Sequence, residues 1–233
     1  MLALVNLPSI ALYIALFASF TFGASLNQPR FACAMSMCTG ATRFPPLSPS
    51  NNNLDAAQLV QYEFLINTTK KIYGDTIITE GADGSLQGPF NQLLYTPTIV
   101  QSWTAQQLGA AGLMTSKENE AAVLGILSIN RATYGLYAHT LLAQKAGFTL
   151  EQVLSMLAGF CATGLSTRES AIYNLAVKLA QMRGPLDQAS YDAAFAVLGH
   201  EGVEATIQQA AAFSYSAMML NAGDVCVPQG AGC

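Results

Sequence analysis

A chain of 233 residues is long enough to bury a core of its own without disulfide or metal staples. Charged side chains make up 10% of it and hydrophobic ones 52%, against about 25% charged in an average soluble domain, so part of the surface is expected to lie against other copies of the chain or apolar material. With a net charge of −4, pI near 5.0 and no cluster of Lys or Arg, the chain lacks the basic stripe that a nucleic-acid partner requires.

No charged side chain precedes Arg30, and "SIALYIALFASFTFGA" is an apolar run of signal-peptide length. Gly23, Ala24 and Ser25 offer small residues for cleavage, so residues 1–25 read as a leader. The alternative is an uncleaved membrane anchor, because the run approaches the roughly 20 residues that span a bilayer. Secretory or extracellular residence follows from the first reading and membrane attachment from the second. Asn67-Thr68-Thr69 is a glycosylation sequon, which agrees with either route. Cys33, Cys38, Cys226 and Cys233 lie near the two ends and are disulfide candidates with three possible pairings. Cys161 stands alone in "VLSMLAGFCATGL", where an apolar face predicts a small core residue.

Residues 26–53 form an irregular arm, dense in Pro, Ser and Asn toward its end. From residue 54 the apolar spacing is helical almost throughout. Asn53 or Asp55 caps a helix reaching about Tyr73, and the Gly-rich "TEGADGSLQGPF" is a loop. Short helices are expected over residues 91–95 and 97–112. Thr115 or Ser116 opens the next helix, with acidic residues in its first turn. Gly147 closes the segment that contains His139. "TLEQVLSMLAGF" starts a further helix with a capping-box pattern from Thr149 to Gln152. Helices over residues 167–182, 187–198 and 202–220 complete an all-α domain spanning residues 54–225, followed by a Cys-containing tail, 226–233.

The chemistry-bearing patterns are few. His139 and His200 have no second ligand at metal spacing, the cysteines lack a CxxC pair, and no glycine-rich loop follows a strand, so no metal or cofactor is expected. "GLSTRES" is not a nucleophile elbow. His139, in "RATYGLYAHTLLAQKAG", is either a core histidine bonded to a carbonyl or a working group. Gly135, one turn before it, costs about 1 kcal/mol against Ala in a helix. Room beside the imidazole and close helix packing both explain it. Glu120 stands 19 positions upstream, roughly 28 Å along a straight helix, so the two meet only if the chain reverses at "SINRATYG".

Several stretches together resemble the carboxymuconolactone decarboxylase and alkylhydroperoxidase D-like family. They are "GPFNQLLYTP", the Glu120-to-His139 segment with its spacing, "STRESAIYNLAVKL" and "GHEGVEATIQQAAAFSYSAMMLNA". The resemblance implies an alkylhydroperoxidase D-like all-helical fold assembled as a homo-oligomer, trimer or hexamer. Ala132 and Gly135 occupy the positions where hydroperoxidase members carry thiols, so peroxide reduction lacks its nucleophile. The decarboxylase branch needs neither thiol nor cofactor. On that likeness His139 is the general acid or base and Glu120 orients it, with Tyr134, Asn91 and Arg131 as substrate contacts and Phe90, Trp103 and Tyr215 as pocket wall. Leader and end cysteines are similar to those of fungal secondary-metabolism members. The implied function is a lyase or isomerase acting on a small organic acid or polyketide-derived intermediate. The alternatives are a non-catalytic oligomeric binding or assembly protein and a peroxidase-like antioxidant protein using Cys161.

Overall fold

The computed structural model describes residues 42–51 and 53–231, so the leader, Cys33, Cys38 and Cys233 lie outside the described residues. What is described is all-helical; the single β feature is an isolated bridge between Glu80 and Leu86 within the glycine-rich loop. The helices are α1 (Ala56–Tyr73), α2 (Pro89–Leu93), α3 (Val100–Ala111), α4 (Ser116–Asn130), α5 (Thr133–Lys145), α6 (Leu150–Leu157), α7 (Thr167–Gln181) and α8 (Gln188–Gly223). Among them no helix is long and apolar enough to cross a membrane.

The starts follow from capping chemistry. Asp55, Thr115, Thr149 and Ser166 each accept a hydrogen bond from the backbone N–H three residues on, and a Gln or Glu there bonds back to the cap. Asp187 caps α8 through Ser190 N–H without the reciprocal half. The expected pair of helices over 187–198 and 202–220 is one element with a kink. Gly199 breaks the helical geometry at φ 66°, a conformation that disfavours any residue with a Cβ. The helix after Thr149 stops at Leu157, three residues short of the expected run, because Gly159 turns the chain at φ 92°. Phe160 and Cys161 consequently sit exposed in the α6–α7 loop. The placement of Cys161 in the core is therefore corrected.

Helices α4 and α7 run parallel through the middle. Their first turns are joined by Arg168–Glu118 (2.8 Å) and Lys117–Glu169 (3.5 Å) ion pairs. Further along, Gly125 lets α4 approach closely, since a Cβ there would lie 2.9 Å from Ala176 Cβ and 3.0 Å from the Tyr173 carbonyl. Around this pair α5, α6 and α8 build one apolar cluster, including Leu124, Ile126, Met156, Ile172 and Phe213. A second cluster joins the arm to α1, α2 and α3 through Leu47, Leu65, Leu86, Leu93 and Trp103. Arg43 fastens the arm to the end of α8 by bonds from its guanidinium to the Ala222 carbonyl and from its N–H to that of Gly223. The site described next lies where the two clusters meet.

Candidate functional site

Helix α4 ends on Arg131, whose backbone is left-handed (φ 53°), and α5 begins two residues later. That reversal folds α5 back beside α4 and brings Glu120 to His139. The Nδ1 of His139 lies 2.8 Å from Oε2 of Glu120. Only 8% of the Glu120 side chain and 17% of the His139 side chain is exposed, so solvent screens this contact weakly. An ionised carboxylate can only accept, so in the pairing of carboxylate with neutral imidazole the hydrogen sits on Nδ1 and Nε2 keeps its lone pair. The ring packs edge-on against Phe213, with centroids 4.7 Å apart, which fixes its plane. The two interactions together hold the imidazole in one orientation.

Both residues line a cavity of about 450 Å³, within the usual range for small-molecule sites. Its walls come from the two apolar clusters. Leu65 of α1, Phe90 of α2 and Trp103 of α3 form one side, with the Phe90 and Trp103 rings edge to face at 6.2 Å. Tyr134, Ala138 and Leu142 of α5, with Phe213 and Leu220 of α8, form the other. Gly135 serves both readings given to it. It lines the cavity, and a Cβ there would lie 2.9 Å from Leu127 Cδ2 and 3.4 Å from Phe213 Cζ. Gly88 has a related role at φ 65°: a Cβ on it would collide with the Tyr134 ring.

The remaining residues singled out from the sequence divide clearly. Phe90 and Trp103 are wall residues. Tyr134 is also in the wall, but its hydroxyl donates to the Ile78 carbonyl at 2.8 Å and is committed to holding the α1–α2 loop. Burial, with the neighbouring Tyr73 and Tyr137, pushes that hydroxyl well above the ordinary tyrosine range. Asn91 lies outside the cavity. Its Oδ1 accepts from Leu47 N–H (2.8 Å) and its Nδ2 donates to the Phe44 and Pro45 carbonyls, so it pins the arm. Arg131 is also outside, its guanidinium donating to the Leu157 carbonyl at 2.8 Å. Tyr215 is not part of the cavity lining and is 38% exposed. Asn91, Arg131 and Tyr215 are thus not brought to this cavity: the first two bond to backbone groups and the third is exposed. Asn67 is exposed on α1, while the sequon's Thr69 is buried with its hydroxyl donating to the Ile66 carbonyl. Cys226 lies at the start of the tail, and its pairing with the other end cysteines falls outside the described residues.

Four polar residues facing this cavity were not picked out from the sequence as polar contacts. Tyr73, at the end of α1, lines it and makes no side-chain hydrogen bond among the described residues. Burial first, and the charge of Glu120 second, push its hydroxyl up to about 12, so it remains a proton donor at ordinary pH. Trp103 Nε1, Asn119 Oδ1 and Gln209 Oε1 are buried atoms in the same lining without a hydrogen-bond partner among the described residues. A spacing signal existed for Gln209, which stands four residues before Phe213 and seven before Ser216 on one face of α8. Nothing in the sequence distinguished Tyr73 from eight other tyrosines. Cys161 is not part of the lining, and among the described residues no group of His, Cys, Asp and Glu is placed to hold a metal ion.

The arrangement can take a proton at His139 Nε2, stabilise the resulting imidazolium through Glu120, and donate hydrogen bonds from Tyr73 and Trp103 to a developing oxyanion. No family model, curated protein or solved structure matches the chain.

Proposed function

We propose that the protein is a cofactor-independent lyase or isomerase that moves protons on a small organic acid or polyketide-derived intermediate in secondary-metabolite biosynthesis. The observation that carries this reading is the 2.8 Å Glu120–His139 pair set into the wall of a mostly apolar cavity. Decarboxylation, double-bond migration and ring closure share one demand, an electron pair left on carbon and delocalised onto a neighbouring oxygen. A histidine of fixed orientation with neutral donors nearby meets it. The likeness of "GPFNQLLYTP" and of the Glu120–His139 spacing to the carboxymuconolactone decarboxylase and alkylhydroperoxidase D-like family supports the same chemistry. An oligomer is part of the proposal. Leu108, Leu113, Met218 and Val60 are 46–70% exposed, and a chain with 10% charged residues has little polar surface to set against them.

The test is hydrogen exchange at carbon. 1-Tetralone in D2O exchanges its C2 protons only through the enol or enolate, and NMR follows the loss of that signal without knowledge of the natural substrate. Catalysed exchange that falls by about 10²-fold or more in His139→Ala, with the fold intact by circular dichroism, supports the reading. Exchange no faster than buffer, or unchanged in the variant, overturns it.

A further inference from the structure

The cavity's own polar groups point to which substrates it takes. Trp103 is 7% exposed and Gln209 4%, yet Trp103 Nε1 and Gln209 Oε1 have no hydrogen-bond partner among the described residues. Asn119 Oδ1 in the same lining is in the same state and Tyr73 makes no side-chain hydrogen bond among the described residues, whereas several other polar groups there are satisfied within the protein. Thr69, Thr104 and Ser216 donate to carbonyls of their own helices, and Gln107 donates to the Ala212 carbonyl at 2.8 Å. The orphaned atoms are thus a selected set. Burying such a group without a partner is costly, which favours a ligand or water that supplies one.

Charge narrows the ligand further. Among the described residues, the acidic group in the lining is Glu120 and the ammonium is that of Lys145, an exposed residue whose Nζ donates to Thr76 Oγ1 at 2.9 Å. Arg131 is turned away to Leu157, and Arg168 and Lys117 are paired with Glu118 and Glu169. A substrate carboxylate held inside would face Glu120 with no guanidinium beside it. A neutral carbonyl and hydroxyl meet no such repulsion.

We infer that the site takes a neutral hydroxyketone of one or two fused rings, its carbonyl oxygen accepting from Trp103 Nε1 and its hydroxyl donating to the Gln209 carboxamide. This rests on the proton-transfer reading and selects its isomerising or cyclising branch over decarboxylation. The step balances without a co-reactant. His139 Nε2 takes the proton from the carbon beside the carbonyl, and the C–H electron pair becomes the enolate double bond. The charge rests on the oxygen that Trp103 contacts, and the proton returns to carbon at the same or a conjugated position.

Calorimetric titration of the full chain with three probes tests it: 6-hydroxy-1-tetralone, 1-tetralone and 1-tetralone-6-carboxylate. The hydroxyketone is expected to bind about tenfold tighter than 1-tetralone and tighter still than the carboxylate. Gln209→Leu should abolish the preference for the hydroxyl, and Trp103→Phe should weaken both ketones about tenfold. Equal or tighter binding of the carboxylate, selectivity that survives Gln209→Leu, or no binding of any probe at millimolar concentration, as expected if water alone serves these groups, overturns the inference. The two readings separate in the results. Selective binding without C2 exchange removes the catalytic reading alone, whereas exchange with a preference for the carboxylate removes the hydroxyketone alone.

Discussion

Glu120 and His139 are 19 residues apart in sequence and 2.8 Å apart in space, and the turn that joins them rests on a non-glycine residue in a left-handed conformation. Arg131 accepts φ 53° at the end of α4 while its side chain reaches the Leu157 carbonyl of α6. The arginine is therefore a brace for the reversal that builds the site. Arg131→Gly keeps the turn but removes the brace, and Arg131→Ala keeps the strain and removes the brace as well. Arg131→Ala is expected to be the less stable of the two, by about 1 kcal/mol in urea unfolding.

Glu120 acts through His139, so its effect should appear in the rate more than in binding. Glu120→Gln preserves the shape and removes the charge that stabilises an imidazolium. C2 exchange should fall by about 10²-fold with the probe's dissociation constant little changed. The same substitution should lower the pKa of Tyr73, because the Glu120 charge is one of the two causes that raise it to about 12. Ultraviolet titration of the tyrosines, with Tyr73→Phe to assign the transition, reads this directly. The stabilising contribution tied to Tyr73 is full below the unfolded value of about 10 and is lost as pH rises through about 12.

Gly135→Ala adds a methyl group 2.9 Å from Leu127 Cδ2 and 3.4 Å from the Phe213 ring that abuts His139. Helix propensity gains about 1 kcal/mol, and overpacking costs about 1–3 kcal/mol. The expected outcome is a net loss of about 1 kcal/mol in unfolding free energy and slower exchange, because Phe213 shifts against the imidazole.

Asn91→Ala removes three hydrogen bonds to the arm, at about 0.5–1.5 kcal/mol each. Limited proteolysis should then cut within residues 42–53, while binding of 6-hydroxy-1-tetralone stays within a fewfold of the parent protein. A large loss of binding with an intact arm would instead put Asn91 at the ligand.

At the acid end, Glu118 carries a predictable share. Burial alone would raise its carboxyl pKa, but the hydrogen bonds from Arg168 and Thr115 outweigh it and hold the value below the usual carboxylate range. Its stabilising contribution is present above the unfolded value, about 4.3, and is lost as pH falls through the lower folded value. Glu118→Gln should flatten that part of the stability curve, as measured by thermal unfolding between pH 3 and 6.

Much of the helical frame was legible because its signals are local. The boxes at Asp55, Thr115 and Thr149 each need a side chain and a partner three residues on, and a sequence displays that spacing directly. The kink at Gly199 was half legible: a break was visible, but not that the helix resumes across it. The pair Glu120–His139 was readable as a spacing that required a reversal. The remaining contacts depended on which backbone groups lay nearby. Asn91 and Arg131 have suitable chemistry for a substrate, yet free carbonyls and an N–H of the arm and of α6 reach them first. Tyr73 and Gln209 face the cavity only because α1 and α8 close over α5, a tertiary fact that no local pattern encodes.

The most direct measurement is chemical rescue of His139→Gly. The variant leaves a space where the ring stood, beside Glu120 and Phe213. C2 exchange of 6-hydroxy-1-tetralone should fall by about 10²-fold or more. Added imidazole should then restore a substantial part of it in a saturable manner, while leaving the parent protein unaffected. Parent-level exchange in His139→Gly, or a variant that folds and binds the probe but gains nothing from imidazole, would contradict a proton-transferring role for His139.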